Sequence, residues 1–124
     1  MTDSFFSMFT PREIAQIAAS GTRVNLPQGW SPIWEDTPAD KAYIILSGDV
    51  SVRRDGKEIA QCGPGDIIGE AAIMGGSLRT ASIVALSPLE LIHLSADALT
   101  RLAVEMPSFG AALDRVAAER LAGQ

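Results

Sequence analysis

Two charged side chains, Glu70 and Arg79, stand nine residues apart in a glycine-rich segment. Gly69 precedes a short stretch of helix-forming residues, and a helix that begins there exposes unpaired N–H groups and favours an anion. The planar guanidinium of Arg79 matches the oxygens of a phosphate. Glu70 would repel that phosphate unless it bound donors of its own, and sugar hydroxyls are such donors. The pair therefore predicts a site for a phosphorylated sugar.

The same residues also fit a simpler interpretation. Glu70 and Arg79 could form a salt bridge on a surface turn, where an ion pair contributes little to stability. Gly75 and Gly76 are interpreted as the end of the short helix. Both interpretations of the charged pair remain open at the level of the residues alone.

Helices are predicted at both ends of the chain. Thr10, Pro11 and Glu13 form a capping box with proline at the first helical position, which predicts a helix over about residues 11–20. Ser95 is expected to cap a helix over about residues 96–105. A last helix begins at Pro107, so the C-terminal helices occupy residues 96–122.

Between these helices the hydrophobic pattern changes to short alternating runs with frequent turns, such as Asp55-Gly56. About eight strands are expected, including one at Ile33-Trp34 and one over 80–86. This spacing of turns favours an antiparallel sandwich or barrel. The predicted fold class is α+β, with a β-roll or jelly-roll body in a single domain over residues 1–124.

Composition excludes several classes of protein. The chain has 124 residues, 10 basic against 15 acidic, and a formal charge of −5, so direct binding to nucleic acid is not expected. With one cysteine, Cys62, and one histidine, His93, an internal disulfide or a clustered metal site is not expected. The chain is therefore not expected to be an enzyme or to hold a cofactor. We expect a cytoplasmic protein, since no segment resembles a signal peptide or a membrane span.

The segment from Gly65 to Ile83 resembles the phosphate-binding cassette of cyclic nucleotide-binding domains. The quoted residues are Gly65-Asp66-Ile67-Ile68-Gly69-Glu70 and Arg79-Thr80-Ala81. The run Tyr43-Ile44-Ile45-Leu46-Ser47-Gly48-Asp49-Val50 resembles a central strand and turn of the same family, and Leu26-Pro27-Gln28-Gly29 resembles its entry strand. The resemblance covers about residues 5–120.

The resemblance implies a role for each residue of the cassette. Glu70 would accept the ribose 2′-hydroxyl, and Arg79 would pair with the cyclic phosphate. Gly69 would let the ligand approach the backbone, and Thr80 occupies a position that contacts guanine in some members. The remaining implied site residues are backbone donors and apolar wall residues: Ala71, Ala72, Ala81, Ile68 and Ile83.

The sequence departs from the family pattern at two positions. Many members carry leucine after the glutamate and proline before the arginine, where this chain has Ala71 and Leu78. Ala71 removes apolar cover near the sugar, and Leu78 is expected to loosen the turn that aims Arg79.

The expected function is that of a sensor for cAMP or cGMP, which the sequence does not distinguish, without an output domain of its own. The alternative is a domain that binds no nucleotide and acts in protein interaction or dimerisation through Phe109, Leu113 and Val116. These residues share one face of the last helix. They could pack on the domain, join a second copy or an effector, or close over the base.

Overall fold

The computed structural model describes the backbone of residues 5–122 and, within it, the side chains of residues 5–116, 118 and 119. A 3-10 helix, Phe5–Met8, comes first. The helices are α1 (Pro11–Ala19), α2 (Glu70–Gly75), α3 (Ala96–Glu105) and α4 (Pro107–Ala122). The strands are β1 (Thr22–Leu26), β2 (Lys41–Ser47), β3 (Val50–Arg54), β4 (Lys57–Cys62), β5 (Ile67–Ile68), β6 (Ser82–Ala85) and β7 (Leu89–Ser95).

The strands form two antiparallel sheets, which confirms the expected fold class. One sheet has the strand order β1-β7-β2-β5 and the other the order β4-β3-β6. The predicted turn at Asp55 and Gly56 joins β3 to β4, and both residues have positive φ values of 53° and 78°. Each sheet therefore pairs strands that are distant in sequence, which brings residues 41–54 next to residues 67–95.

The two central strands of the four-stranded sheet, β2 and β7, are largely buried on both faces. Tyr43 and Ile45 point toward the other sheet, whereas Ile44 and Ile92 point toward the helices. Alternate residues of a strand point to opposite faces, so a strand covered on both sides needs consecutive apolar residues. This explains the unbroken apolar run in β2.

Two strand predictions need correction. At Ile33 and Trp34 the described chain forms an isolated bridge from Ile33 to Ile83 rather than a strand. The predicted strand over 80–86 is shorter and covers Ser82–Ala85. The residues lost from its start are Thr80 and Ala81, which lie at the cavity described below.

The predicted helix signals are confirmed in detail. Thr10 and Glu13 form the reciprocal capping box of α1, with bonds of 3.2 Å and 2.9 Å. Glu13 also accepts a hydrogen bond of 2.6 Å from Ser108, which joins the start of α1 to the start of α4. Ser95 accepts from the Ala98 amide at 3.1 Å and caps α3.

The three candidate partner residues of α4 lie in the core instead. Phe109 and Leu113 are fully buried, and Val116 is 9% exposed. Phe109 packs against Phe5 and Phe9, with ring centroids 5.6 Å and 6.1 Å away. These side chains are thus covered within the described chain, in a cluster that includes Phe5 and Phe9, and a dimer or effector surface through them stays a prediction.

Candidate functional site

A cavity of about 400 Å³ opens between the three-stranded sheet and α2. This volume lies in the range of small-molecule sites. Of the described residues that line it, two are cationic, Arg54 and Arg79, and none is acidic. The other lining residues are apolar or small: Ile33, Val52, Ile59, Ala60, Cys62, Ile68, Gly69, Ala71, Ala72, Thr80, Ala81 and Ile83. In a chain of charge −5, this lining favours an anionic ligand.

Gly69 shapes one wall of the cavity. Its φ is +87°, a conformation that favours glycine, and it occupies the N-cap position of α2 without a side-chain cap. A Cβ atom at Gly69 would lie 2.7 Å from Cδ1 of Ile33 and 2.8 Å from Nη1 of Arg79. The absence of a side chain here lets α2 begin directly beside the arginine.

Arg79 is held at the deep end of the cavity by its own backbone and by its side chain. Its amide donates to the Thr37 carbonyl and its carbonyl accepts from the Asp36 amide, both at 2.8 Å. The residue is 3% exposed, and its guanidinium donates to the carbonyls of Gly69 and Lys41. The arginine therefore reaches the cavity wall in a defined position.

Burial is the main influence on the pKa of the Arg79 guanidinium. Loss of water contact lowers the pKa of its guanidinium, while Asp40, Tyr43 and Glu70 raise that pKa in decreasing order. Burial, followed by the charge of Asp40, raises the pKa of the Tyr43 phenol. Arginine remains protonated under physiological conditions, so the deep end of the cavity carries a partly desolvated positive charge.

Glu70 is the first residue of α2 and is fully buried. It is not among the residues that line the cavity, although its neighbours Gly69 and Ala71 are. Both charged residues of the pair are buried, so the interpretation as an exposed surface salt bridge is wrong. The Glu70 side chain has interactions of its own within the protein, and its charge acts on the guanidinium of Arg79.

The structure brings eight of the nine predicted site residues to one cavity. They are Ile68, Gly69, Ala71, Ala72, Arg79, Thr80, Ala81 and Ile83. The lining residues that the sequence did not indicate come mainly from the hairpin of β3 and β4. The alternation of side chains along β3 could have indicated two of them, because Val52 and Arg54 point to the same face of that strand.

The departures at Ala71 and Leu78 have different consequences. Ala71 is half-buried and lines the cavity, where its small side chain leaves room. Leu78 is 54% exposed, and the two backbone hydrogen bonds of Arg79 fix the turn that a proline would otherwise stiffen. The expected loosening at Leu78 is thus offset by the loop at residues 36–37.

No helix in the described part of the chain is long and apolar enough to cross a membrane. Within residues 5–122, no group of three or more His, Cys, Asp or Glu side chains is arranged to hold a metal ion.

The family model of the cyclic nucleotide-binding domain matches residues 23–105, and the chain belongs to that family. The chain is 32% identical over 121 residues to a CRP-like cAMP-activated global transcriptional regulator of Mycobacterium tuberculosis. That match covers 94% of this chain and 54% of the regulator. A cAMP-dependent protein kinase regulatory subunit of Aspergillus niger is 33% identical over 98 residues, which cover 77% of this chain and 24% of the subunit.

Solved structures show the same fold. The catabolite activator protein of Thermus thermophilus superposes with a TM-score of 0.84 at 27% identity, over 94% of this chain and 57% of that chain. A cyclic nucleotide-binding domain from Methylobacillus flagellatus superposes with a TM-score of 0.76 at 30% identity, over 93% and 70%. The chain thus spans about half the length of the regulator it matches in Mycobacterium tuberculosis.

Proposed function

We propose that the cavity binds a cyclic nucleotide, cAMP or cGMP, and that the domain is a non-catalytic sensor module. One observation carries the proposal: a nearly buried arginine, Arg79, lies at the deep end of a cavity that has no acidic residue among its described lining. The guanidinium is desolvated and donates to two neutral carbonyls, and a singly charged cyclic phosphate would give it a stronger, charged acceptor.

In this proposal Arg79 binds the cyclic phosphate with its planar fork. Its present acceptors are the neutral carbonyls of Gly69 and Lys41, which bind a guanidinium less strongly than a phosphate does. The amides of Ala71, Ala72 and Ala81 lie on residues that border the same cavity and would support the phosphate.

Glu70 is proposed to accept the ribose 2′-hydroxyl. Because its side chain is buried and does not line the cavity, this contact would require a small displacement of α2 when the ligand enters. Thr80, Ile68 and Ile83 would complete the site along the base and the sugar. The displacement of α2 would be felt by α4, which packs against it.

This packing suggests how a bound nucleotide would be sensed. A shift of α2 toward the ligand changes the surface on which α4 rests, and the position of α4 would report occupancy of the cavity. A purely structural domain acting through Phe109, Leu113 and Val116 is disfavoured, since these side chains are buried.

The test is isothermal titration calorimetry with cAMP and cGMP on the wild type, Arg79→Ala and Arg53→Ala. Loss of the charge-assisted hydrogen bonds of Arg79 is expected to weaken binding by about 10–100-fold. Arg53 is the matched control, because it lies on β3 and donates to Ser51 rather than to the cavity. Equal binding by the wild type and Arg79→Ala, or no binding of either nucleotide, would contradict the proposal.

A further inference from the structure

We propose that Arg54 selects the base of the bound nucleotide, favouring a base that presents a carbonyl oxygen over one that presents an amino group. The inference rests on the proposed function, since it assumes that the cyclic phosphate binds Arg79. It concerns the opposite end of the same cavity.

The cavity has a deep end and a mouth. Arg79, Ile68 and Ile83 are between 1% and 5% exposed and form the deep end. Thr80 and Ile59 are exposed and line the mouth, and Ile59 is 51% exposed. A cyclic nucleotide that places its phosphate at Arg79 must direct its base toward the mouth, because phosphate and base are its two ends.

Arg54 is the charged residue at that mouth among the described lining residues. It is half-buried, and its Nε donates to the Thr80 carbonyl at 3.0 Å. This bond orients the guanidinium plane next to a residue that itself lines the cavity. Among the described residues no hydrogen bond from either Nη group is seen, so these donors are available to a ligand.

A guanidinium offers donors and no acceptor. It pairs with a purine edge that carries two acceptors, as N7 and the 6-carbonyl of guanine do, and this pairing is a frequent means of distinguishing guanine. Adenine carries an amino group at position 6, so the same guanidinium would face a second donor. The charge and shape of Arg54 therefore favour a 6-carbonyl purine.

The backbone of the hairpin brings apolar contact to the same place. The pairing of β3 and β4 shifts between Val52 and Arg53, so that Val52 pairs with Ala60 and Arg53 with Glu58. Ile59 is the extra residue of this bulge. A bulge re-aims side chains locally, and here the consecutive residues Ile59 and Ala60 both line the cavity. A base at the mouth would thus meet an apolar surface beside Arg54.

The experiment compares cyclic IMP with cAMP, because the two purines differ by a carbonyl or an amino group at position 6. The wild type is expected to bind cyclic IMP at least about fivefold more tightly than cAMP. In Arg54→Gln this ratio is expected to fall below one, since an amide can accept from the amino group and donate to N7. Arg53→Gln, on the other face of β3, should retain the wild-type ratio.

Arg54→Leu removes both the donors and the bond to Thr80, and is expected to abolish the preference without reversing it. If Arg54 only links β3 to Thr80, each variant should bind cyclic IMP and cAMP more weakly by the same factor. That result would overturn the inference and leave the proposed function intact. A wild-type preference for cAMP would overturn it as well. If neither nucleotide binds, the proposed function fails and the inference fails with it.

Discussion

Gly69→Ala tests whether the close approach of α2 to Arg79 is needed for folding and for binding. The new side chain would meet Ile33 at 2.7 Å, Arg79 at 2.8 Å and the Lys41 carbonyl at 3.2 Å. Ile33 and Arg79 are 4% and 3% exposed, and the guanidinium can yield only by moving from the Gly69 and Lys41 carbonyls that accept its hydrogen bonds. Overpacking of this kind costs about 1–3 kcal/mol. The left-handed φ of +87° adds about 1 kcal/mol for an alanine.

The matched control is Gly29→Ala. Gly29 has nearly the same φ, +89°, but a Cβ atom there meets nothing within 4 Å. It should therefore lose about 1 kcal/mol from backbone strain alone, against about 2–4 kcal/mol for Gly69→Ala. The difference between the two variants isolates the steric part.

The assay is urea unfolding of both variants, followed by nucleotide titration. Because the guanidinium must shift to admit the methyl group, Gly69→Ala should also bind cyclic nucleotide at least about tenfold more weakly, while Gly29→Ala keeps wild-type affinity. Equal losses of unfolding free energy in the two variants would refute the reasoning. So would unchanged affinity in Gly69→Ala, since it would mean that Arg79 was not displaced.

Two further predictions concern the helices. Hydrogen bonds, first from Ser108 and then from Thr10, hold the pKa of Glu13 below its ordinary value of 4.5. The carboxylate therefore stabilises the fold at neutral pH, and this contribution is lost as the pH falls below about 4.5. In Glu13→Gln the free energy of unfolding should fall less steeply between about pH 5 and pH 3 than in the wild type. Acid unfolding followed by circular dichroism measures this, and identical profiles for the two proteins would contradict the prediction. Leu113→Ala should lower the free energy of unfolding by about 2–5 kcal/mol without altering the sedimentation coefficient. The control is Asp114→Ala at the exposed neighbouring position, which should change the free energy of unfolding by less than about 0.5 kcal/mol. A change in association state for Leu113→Ala would mean that α4 contacts a partner.

Local signals in the sequence were sufficient for most elements. The capping box at Thr10 and Glu13 and the cap at Ser95 depend on residues within one helical turn. The turn at Asp55-Gly56 depends on two residues that tolerate positive φ. Such features were predictable because the interactions that cause them are close in sequence.

Features that depend on distant contacts were missed or misjudged. The residues around Ile33 look like a strand, but the described chain pairs there at a single bridge. The bulge that adds Ile59 to the cavity follows from the register of β3 against β4, which the alternation of either strand does not reveal. The apolar stripe of α4 was visible, but whether it covered the domain or a partner depended on Phe5 and Phe9 at the other end of the chain.

The site was predictable where it is contiguous in sequence. Residues 68–83 contain most of the predicted lining, and the family pattern in that segment identified them. Arg54 lies outside the segment, and its relation to Thr80 exists only after the two sheets have formed. The burial of Glu70 likewise depends on how α2 packs, which spacing alone does not determine.

The packing of Phe109 against Phe5 and Phe9 has a consequence for synthesis of the chain. These rings come from opposite ends of the described sequence, yet they share one cluster with the outer face of β2 and β7. During translation the sheets can pair before α4 leaves the ribosome, but the helical side of the core stays open until then. Non-local contacts of this kind slow folding and leave apolar surface transiently exposed. A nascent chain in which the residues before 107 have left the ribosome but α4 has not would therefore be a stronger substrate for chaperones than one in which residues up to 116 have also left it.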